Sequence, residues 1–347
     1  MTDASPTPTA PAPARPPRLR TSSGVEHARI LGVGGYRPAR VVTNEEICQL
    51  IDSSDEWIRE RSGIRTRHRA APDESVVDMA VAAAGKALAH AGIPPERIDF
   101  VIVATVTHPY QTPAAATEVA YRVGATGAGA LDVSAACAGF TYGVAMAGDL
   151  VRGGNAGHVL VIGVEKLSDF TDPYDRSTAF IFGDGAGAVV VGPSDVPGIG
   201  PTIWGSDGSK ADAITQKHSW MRLREHDVDW PALAMQGQTV FRWAVWQMAP
   251  VAQKALDAAG ITTADLDAFI PHQANIRIVD AMVKQLKLPP DIPVARDIVT
   301  TANTSAASIP IATTRMLAEG EIPSGGLALQ IGFGAGLVYA AQVIVLP

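Results

Sequence analysis

Apolar positions fall into short runs that alternate with Ala-rich, helix-spaced stretches, and the alternation repeats along the chain. Lys86-Ala-Leu-Ala-His-Ala-Gly-Ile93 recurs as Lys254-Ala-Leu-Asp-Ala-Ala-Gly-Ile261. Each copy predicts a helix that stops at a glycine suited to a left-handed C-terminal position. Four residues on, Ile98-Asp99 and Leu266-Asp267 lead into apolar runs that read as buried strands. Further along, Ser134-Ala-Ala-Cys137 is echoed by Ser305-Ala-Ala-Ser308, and Gly183-Asp-Gly-Ala-Gly187 by Gly332-Phe-Gly-Ala-Gly336. The matches keep their order at offsets of 168, 171 and 149. The pattern therefore predicts an α/β chain made of two duplicated halves, 29–198 and 199–347, joined near Pro193 to Pro201. The smaller last offset predicts a shorter second copy at that point. Residues 207–235, rich in charge and Trp, match nothing in the first half and read as an insertion.

The first 28 residues break the pattern. Prolines alternate with Ala and Thr from Pro6 to Pro17, followed by Arg18 and Arg20, without an apolar core of the kind a secretory signal carries. This stretch reads as a disordered, dispensable tail. No later apolar run is long enough to predict a membrane span.

Composition narrows the function classes. With 47% hydrophobic residues, the chain can build a large interior. A net charge of −7 with no basic stripe argues against a nucleic-acid partner. Only Cys48 and Cys137 are present, so no disulfide framework is expected and a reducing cytoplasm is the default compartment. The histidines and cysteines are not at ligand spacing, and no metal is predicted. Both Gly-rich segments precede strands, whereas a dinucleotide loop follows a strand and opens a helix, so they read as tight turns.

Three residues carry candidate chemistry. Cys137 lies between a strand ending near Val133 and a helix running to about Arg152. A thiol at a helix start is expected to be favoured as thiolate by unpaired N–H groups and the helix dipole. Small neighbours Ala135, Ala136, Ala138 and Gly139 leave room beside the sulfur. Cys48, within a helical pattern, reads as a buried hydrophobe. His272 ends the apolar run Ala268-Phe-Ile-Pro, at the carboxyl end of a strand, where α/β folds place ligands. The repeat aligns it with Ala104, so the histidine belongs to one half only. Asn303, in Thr300-Thr-Ala-Asn-Thr-Ser-Ala-Ala-Ser308, lies on the loop that mirrors the cysteine loop. Taken singly, Asn303 also suits a helix cap.

Together with Asp55-Glu-Trp-Ile58, Arg61-Ser-Gly-Ile64, Phe182-Gly-Asp-Gly-Ala-Gly187 and His272-Gln-Ala-Asn275, these motifs resemble the β-ketoacyl-[acyl-carrier-protein] synthase III family. The resemblance runs from residue 29 to residue 347. It implies a thiolase-like fold of two pseudo-symmetric halves, layered α-β-α-β-α, in a cytoplasmic homodimer. It implies a decarboxylative Claisen condensation of an acyl-CoA primer with malonyl-[acyl-carrier protein], initiating type II fatty-acid synthesis. Cys137 would carry the primer, while His272 and Asn303 would bind the malonyl thioester carbonyl. The backbone N–H groups of Cys137 and Ala335 would form a second oxyanion hole. Coenzyme A would enter as substrate, with no resident cofactor. Trp57 and Arg176 would sandwich its adenine with Arg61 nearby, and Gly237, Phe241 and Asn275 would line the pantetheine tunnel. Arg242, Arg277 and Lys284 would face the acidic carrier protein.

Departures from the family pattern are informative. Thr112 stands where some members have a Phe closing the acyl pocket across the dimer axis, which implies longer or branched primers. Ala302 replaces a Gly, and Gln238 replaces an Asn. Within the fold, a priming ketosynthase of a polyketide pathway shares these motifs. A degradative thiolase would need a second cysteine after Cys137, which the chain lacks. A non-catalytic ketosynthase partner would usually lose the nucleophile. From another class, the order Cys, His, Asn also fits a papain-like thiol hydrolase.

Overall fold

The structure, a computed structural model, describes residues 19–225 and 228–347. Its first sheet contains β1 (His27–Tyr36), β2 (Phe100–Ala104), β3 (Gly129–Val133), β4 (Val159–Glu165) and β5 (Gly185–Ser194), in the spatial order β1-β5-β4-β2-β3. The second contains β6 (Ile203–Ser206), β7 (Ala268–Pro271), β8 (Leu327–Gly334) and β9 (Val338–Val345), in the order β7-β8-β9-β6. In each half two parallel pairings or their remnant give way to antiparallel ones. β2–β4 and β7–β8 are parallel, whereas β4–β5 and β8–β9 are antiparallel. A parallel bridge from Phe269 to Val294 stands where β3 pairs β2 in the first half. The duplication read from the sequence is thus present strand by strand.

Every residue of β4 is buried, as expected of a strand covered on both faces. Helices α1 (Val76–Ala91) and α2 (Ala115–Val123) cover the outer face of the first sheet through Met79, Ala83, Ala87 and Val119. Helices α3 (Gly139–Arg152) and α6 (Ser308–Ala318) lie between the sheets, joining Phe140, Val144, Ile309 and Met316 to residues of both. Helices α4 (Gly237–Ala259) and α5 (Ile276–Leu286) cover the far face of the second sheet. The result is the five-layer α-β-α-β-α arrangement. The two Ala-rich helices stop at Gly92 (φ +65°) and Gly260 (φ +72°), the left-handed ends their sequence predicts. The α1 start is a capping box, with Ser75 and Asp78 each satisfying the other's backbone N–H.

The structure corrects two boundaries. The tail expected through residue 28 ends earlier, because β1 begins at His27 and pairs Ser194, and Ala28 is buried. Ser22 Oγ also donates to Gly153 O at 2.8 Å. Residues 1–18 of the expected tail lie outside the described residues. The second correction concerns the echo of Ser134–Cys137 in Ser305–Ser308. The equivalent turns are Ala136–Ala138 and Ser305–Ala307, each opening with a left-handed residue (Ala136 φ +44°, Ser305 φ +48°). Cys137 is therefore the counterpart of Ala306, and Ser308 the counterpart of Gly139. The third offset has a simple cause: β4 and β5 are separated by residues 166–184, whereas β8 and β9 are joined by the short turn Ala335–Leu337.

The insertion contributes a two-stranded ribbon, Ile214–Gln216 paired with Leu233–Met235. Residues 226–227 within it lie outside the described residues. Among the described residues, no helix is long and apolar enough to cross a membrane.

Candidate active site

A cavity of about 870 Å³ opens between the halves. Cys137, His272, Asn303, Ser305 and Phe333 line its inner end, and Trp57, Arg61, Arg242 and Arg277 line other parts of its wall. The insertion supplies Ile214, Gln216 and Leu233 from its ribbon and Trp220 from a short helix to the wall. The insertion thus builds the cavity rather than lying apart from it.

Cys137 sits in the short 3₁₀ turn Ala136–Ala138, just ahead of α3. Gly334 presses against it. A Cβ at Gly334 would lie 2.9 Å from the Cys137 N and 3.0 Å from its Sγ, so only glycine fits there. Cys137 is half-buried, and burial pushes its thiol up to about 12, opposed by the Ser305 hydroxyl. That direction runs against the expectation of a ready thiolate, and desolvation is its cause.

His272 follows β7 and is held by its own N–H, which donates to Ile331 O at 2.8 Å. Its side chain is 1% exposed and packs edge-on to Phe333, with ring centres 5.3 Å apart. Burial lowers its pKa to about 3, so the imidazole is neutral. Nδ1 lies 2.7 Å from Ser308 Oγ, which also accepts the Gln273 N–H at 3.3 Å. The serine hydroxyl can donate to Nδ1, and in that tautomer Nε2–H is the donor left for a ligand.

Asn303 is fixed by β-like bonds to the neighbouring loop: its N–H donates to Ile181 O, and its C=O accepts from Gly183 N. Its Oδ1 accepts the Ser305 N–H at 2.8 Å, so the amide NH₂ is the end left for a ligand. The residue before it, Ala302, is fully buried at φ +54°, ψ −162°, a region that favours glycine.

The other expected contacts divide. Gly237, Gln238, Phe241 and Asn275 line the cavity, as does Ala335 beside Gly334. Asn275 caps α5 through Arg277 N and donates from Nδ2 to Arg61 O at 2.9 Å. The Arg277 guanidinium lies 4.9 Å from the centre of the Phe241 ring. Arg61 lies 5.9 Å from the Trp57 ring. Arg176 does not stand off from Trp57 as a sandwich would need. Its guanidinium stacks on the indole at 4.8 Å, held by an Nε–H bond to Asp52 O of 2.5 Å. No third ring fits between them as they lie. Lys284 is exposed on α5, away from the cavity lining, and Thr112 is exposed while His108, Pro109 and Gln111 of its loop line the cavity.

Sequence reasoning missed Glu165, which is wholly buried at the end of β4 and accepts from Ser305 Oγ at 3.1 Å. A lone acid closing the apolar run Val159–Val164 was the available signal. The roles of Ser305 and Ser308 were likewise missed, although both lie in a motif the sequence displays. Among the described residues, no cluster of three or more His, Cys, Asp or Glu is arranged to hold a metal.

Comparison with known proteins agrees with this geometry. Residues 131–208 match the family model for 3-oxoacyl-[acyl-carrier-protein (ACP)] synthase III, and residues 256–346 match the model for its C-terminal part. The chain is 62% identical to β-ketoacyl-[acyl-carrier-protein] synthase III 1 of Streptomyces coelicolor, over 95% of this chain and 99% of that protein. The synthase III of Kocuria rhizophila is 57% identical over 92% of this chain and 97% of its own length. Among solved structures, the priming β-ketosynthase of the R1128 polyketide biosynthetic pathway superposes with a TM-score of 0.93 at 50% identity, covering 95% of this chain and 99% of that one. The Pseudomonas aeruginosa 3-oxoacyl-(acyl carrier protein) synthase III gives 0.86 at 40% identity, covering 93% and 99%. With relatives matched nearly end to end, the papain-like alternative falls away, and the chain belongs to the β-ketoacyl-[acyl-carrier-protein] synthase III family of condensing enzymes.

Proposed function

We infer that the enzyme joins an acyl-CoA primer to malonyl-[acyl-carrier protein], releasing CoA and carbon dioxide and leaving a 3-oxoacyl-[acyl-carrier protein]. The observation that carries this reading is a thiol, a buried neutral imidazole and an amide, those of Cys137, His272 and Asn303, lining one cavity. Cys137 takes the acyl group from CoA. The malonyl thioester carbonyl then sits on His272 and Asn303, which stabilise the enolate as carbon dioxide departs. A neutral imidazole suits this step, because its N–H donates a hydrogen bond yet is too weakly acidic to give the proton up. The enolate carbon attacks the acyl-cysteine, whose oxyanion is received by the N–H groups of Cys137 and Ala335. One such donor is worth ~10²–10³ in rate.

Coenzyme A enters past Trp57 and Arg61, with its pantetheine arm beside Gly237, Phe241 and Asn275. Arg176 must swing off Trp57 to admit the adenine. Arg242, Arg277 and Lys284 on α4 and α5 form the docking face for the acidic carrier protein. The active form is a homodimer in which Thr112 borders the partner's acyl pocket, and the primers are branched or longer than acetyl. Initiation of fatty-acid synthesis is the first reading; the likeness to a polyketide priming ketosynthase supports a second. Intact-protein mass spectrometry after exposure to a panel of acyl-CoAs tests the assignment. A stable acyl adduct on Cys137, largest for branched four- and five-carbon groups, is expected. An adduct elsewhere, or none, would contradict it.

A further inference from the structure

Glu165 is 0% exposed, yet its carboxylate is surrounded by donors rather than by a cation. Its Oε2 accepts from Thr107 Oγ1 at 2.7 Å, Val106 N at 3.1 Å and Thr105 Oγ1 at 3.2 Å. Among the described residues, its Oε1 accepts only from Ser305 Oγ, at 3.1 Å, and Ser305 lines the cavity together with Cys137. Ser305 is held in this place by a left-handed backbone, φ +48°, and by its N–H bond to Asn303 Oδ1.

The first half-reaction needs somewhere for the thiol proton to go. His272 is a poor acceptor: burial disfavours its protonated form, and Ser308 engages its Nδ1. We propose that Glu165 is the proton acceptor for Cys137 during primer transfer, acting through the Ser305 hydroxyl, which bonds the carboxylate and shares the cavity lining with the thiol. The proposal rests on Cys137 being the acylated residue.

The proton inventory closes. As Sγ attacks the primer carbonyl, the S–H proton passes to Ser305 Oγ while the Ser305 proton passes to Glu165 Oε1. The new C–S bond forms, the bond to the CoA sulfur breaks, and the CoA thiolate takes its proton from solvent. Condensation later expels Cys137 as thiolate, and Glu165 returns its proton by the same path. The carboxyl is suited to both directions, because burial raises its pKa to about 7 against the lowering by its donors.

The groups that could perturb this titration are few. Cys137 faces it from its turn. On its own strand Lys166 turns away to Ala71 O, Pro72 O and Asp169. From β5, Gly185 pairs Glu165, and the preceding Asp184 is engaged by Ala70 N–H and Ser168. The Ser305 turn and the Thr105–Thr107 segment present hydroxyls and an N–H.

The test is single-turnover acylation of Cys137 by isobutyryl-CoA, read by intact mass from pH 5.5 to 9. The wild type should show a rate that rises through an apparent pKa near 7 and then levels. Glu165→Gln and Ser305→Gly should each be slower by ~10²–10⁴ at neutral pH and should lose the plateau, rising steadily with pH. Ser305→Gly keeps the fold testable should Glu165→Gln not fold, since glycine accepts the left-handed backbone and retains the N–H to Asn303. Variants that keep the wild-type profile, at either the same or a uniformly reduced rate, would overturn the relay and leave Glu165 a scaffold. A wild type that takes no acyl group on Cys137 would instead overturn the reading of the site itself.

Discussion

Ala302 shows what a single backbone position holds in place. It sits at φ +54°, ψ −162° with no exposed surface, immediately before the Asn303 amide. A Cβ in that region is strained, and the surrounding packing holds it there. Ala302→Gly is therefore expected to stabilise the protein by ~1 kcal/mol, despite the entropy glycine adds to the unfolded chain. A thermal melt gives the sign directly; a lower melting temperature would show that the alanine is not strained. The same local view supports the proposed role of His272 as a donor and not a base. Its partner is a serine rather than a carboxylate, so nothing stabilises an imidazolium there, and burial lowers its pKa.

Among the elements, the parts legible in the sequence were those that repeat or are punctuated. The helices ending at Gly92 and Gly260 and the shorter second copy could be read from apolar runs and glycines. The register of the Cys137 turn could not. Matching letters aligned Cys137 with Ser308, but the turn is defined by where φ becomes positive, at Ala136 and Ser305, and that shifts the match by two residues. Arg176 misled for a related reason. Residue types suggest a sandwich with Trp57, whereas the unliganded pair stacks directly. Glu165 was illegible because a lone acid at a strand end looks solvated until the facing Ser305 turn is known. The start of β1 was hidden by its Arg-rich flank, and it yields a prediction. Deleting residues through 28 removes the pairing of His27 with Ser194, buried Ala28 and the Ser22–Gly153 bond. A loss of ~1–3 kcal/mol is expected, read as a melting temperature lower by several degrees. An unchanged melt would show that this edge contributes nothing.

For the whole molecule, the cavity lies where the duplicated halves meet: the first contributes Cys137 to its lining, the second His272 and Asn303. The proposed control of substrate choice lies in a homodimer. Thr112 is exposed and does not line its own chain's cavity, which suits a role in a partner's acyl pocket. Each primer methylene buried there is worth ~0.8 kcal/mol, and overpacking costs ~1–3 kcal/mol. Thr112→Phe should therefore lower kcat/KM for isobutyryl- and isovaleryl-CoA several-fold or more while sparing acetyl-CoA. An unchanged primer ranking would remove Thr112 as the gate. The central claim, however, is the division of labour between the thiol and the two donors, and His272→Ala separates them in one protein. The variant is predicted to take a full equivalent of primer on Cys137, by intact mass, yet to release no carbon dioxide from malonyl-carrier protein. A His272→Ala protein that fails to acylate at all would make the histidine the base for Cys137 and would contradict the account.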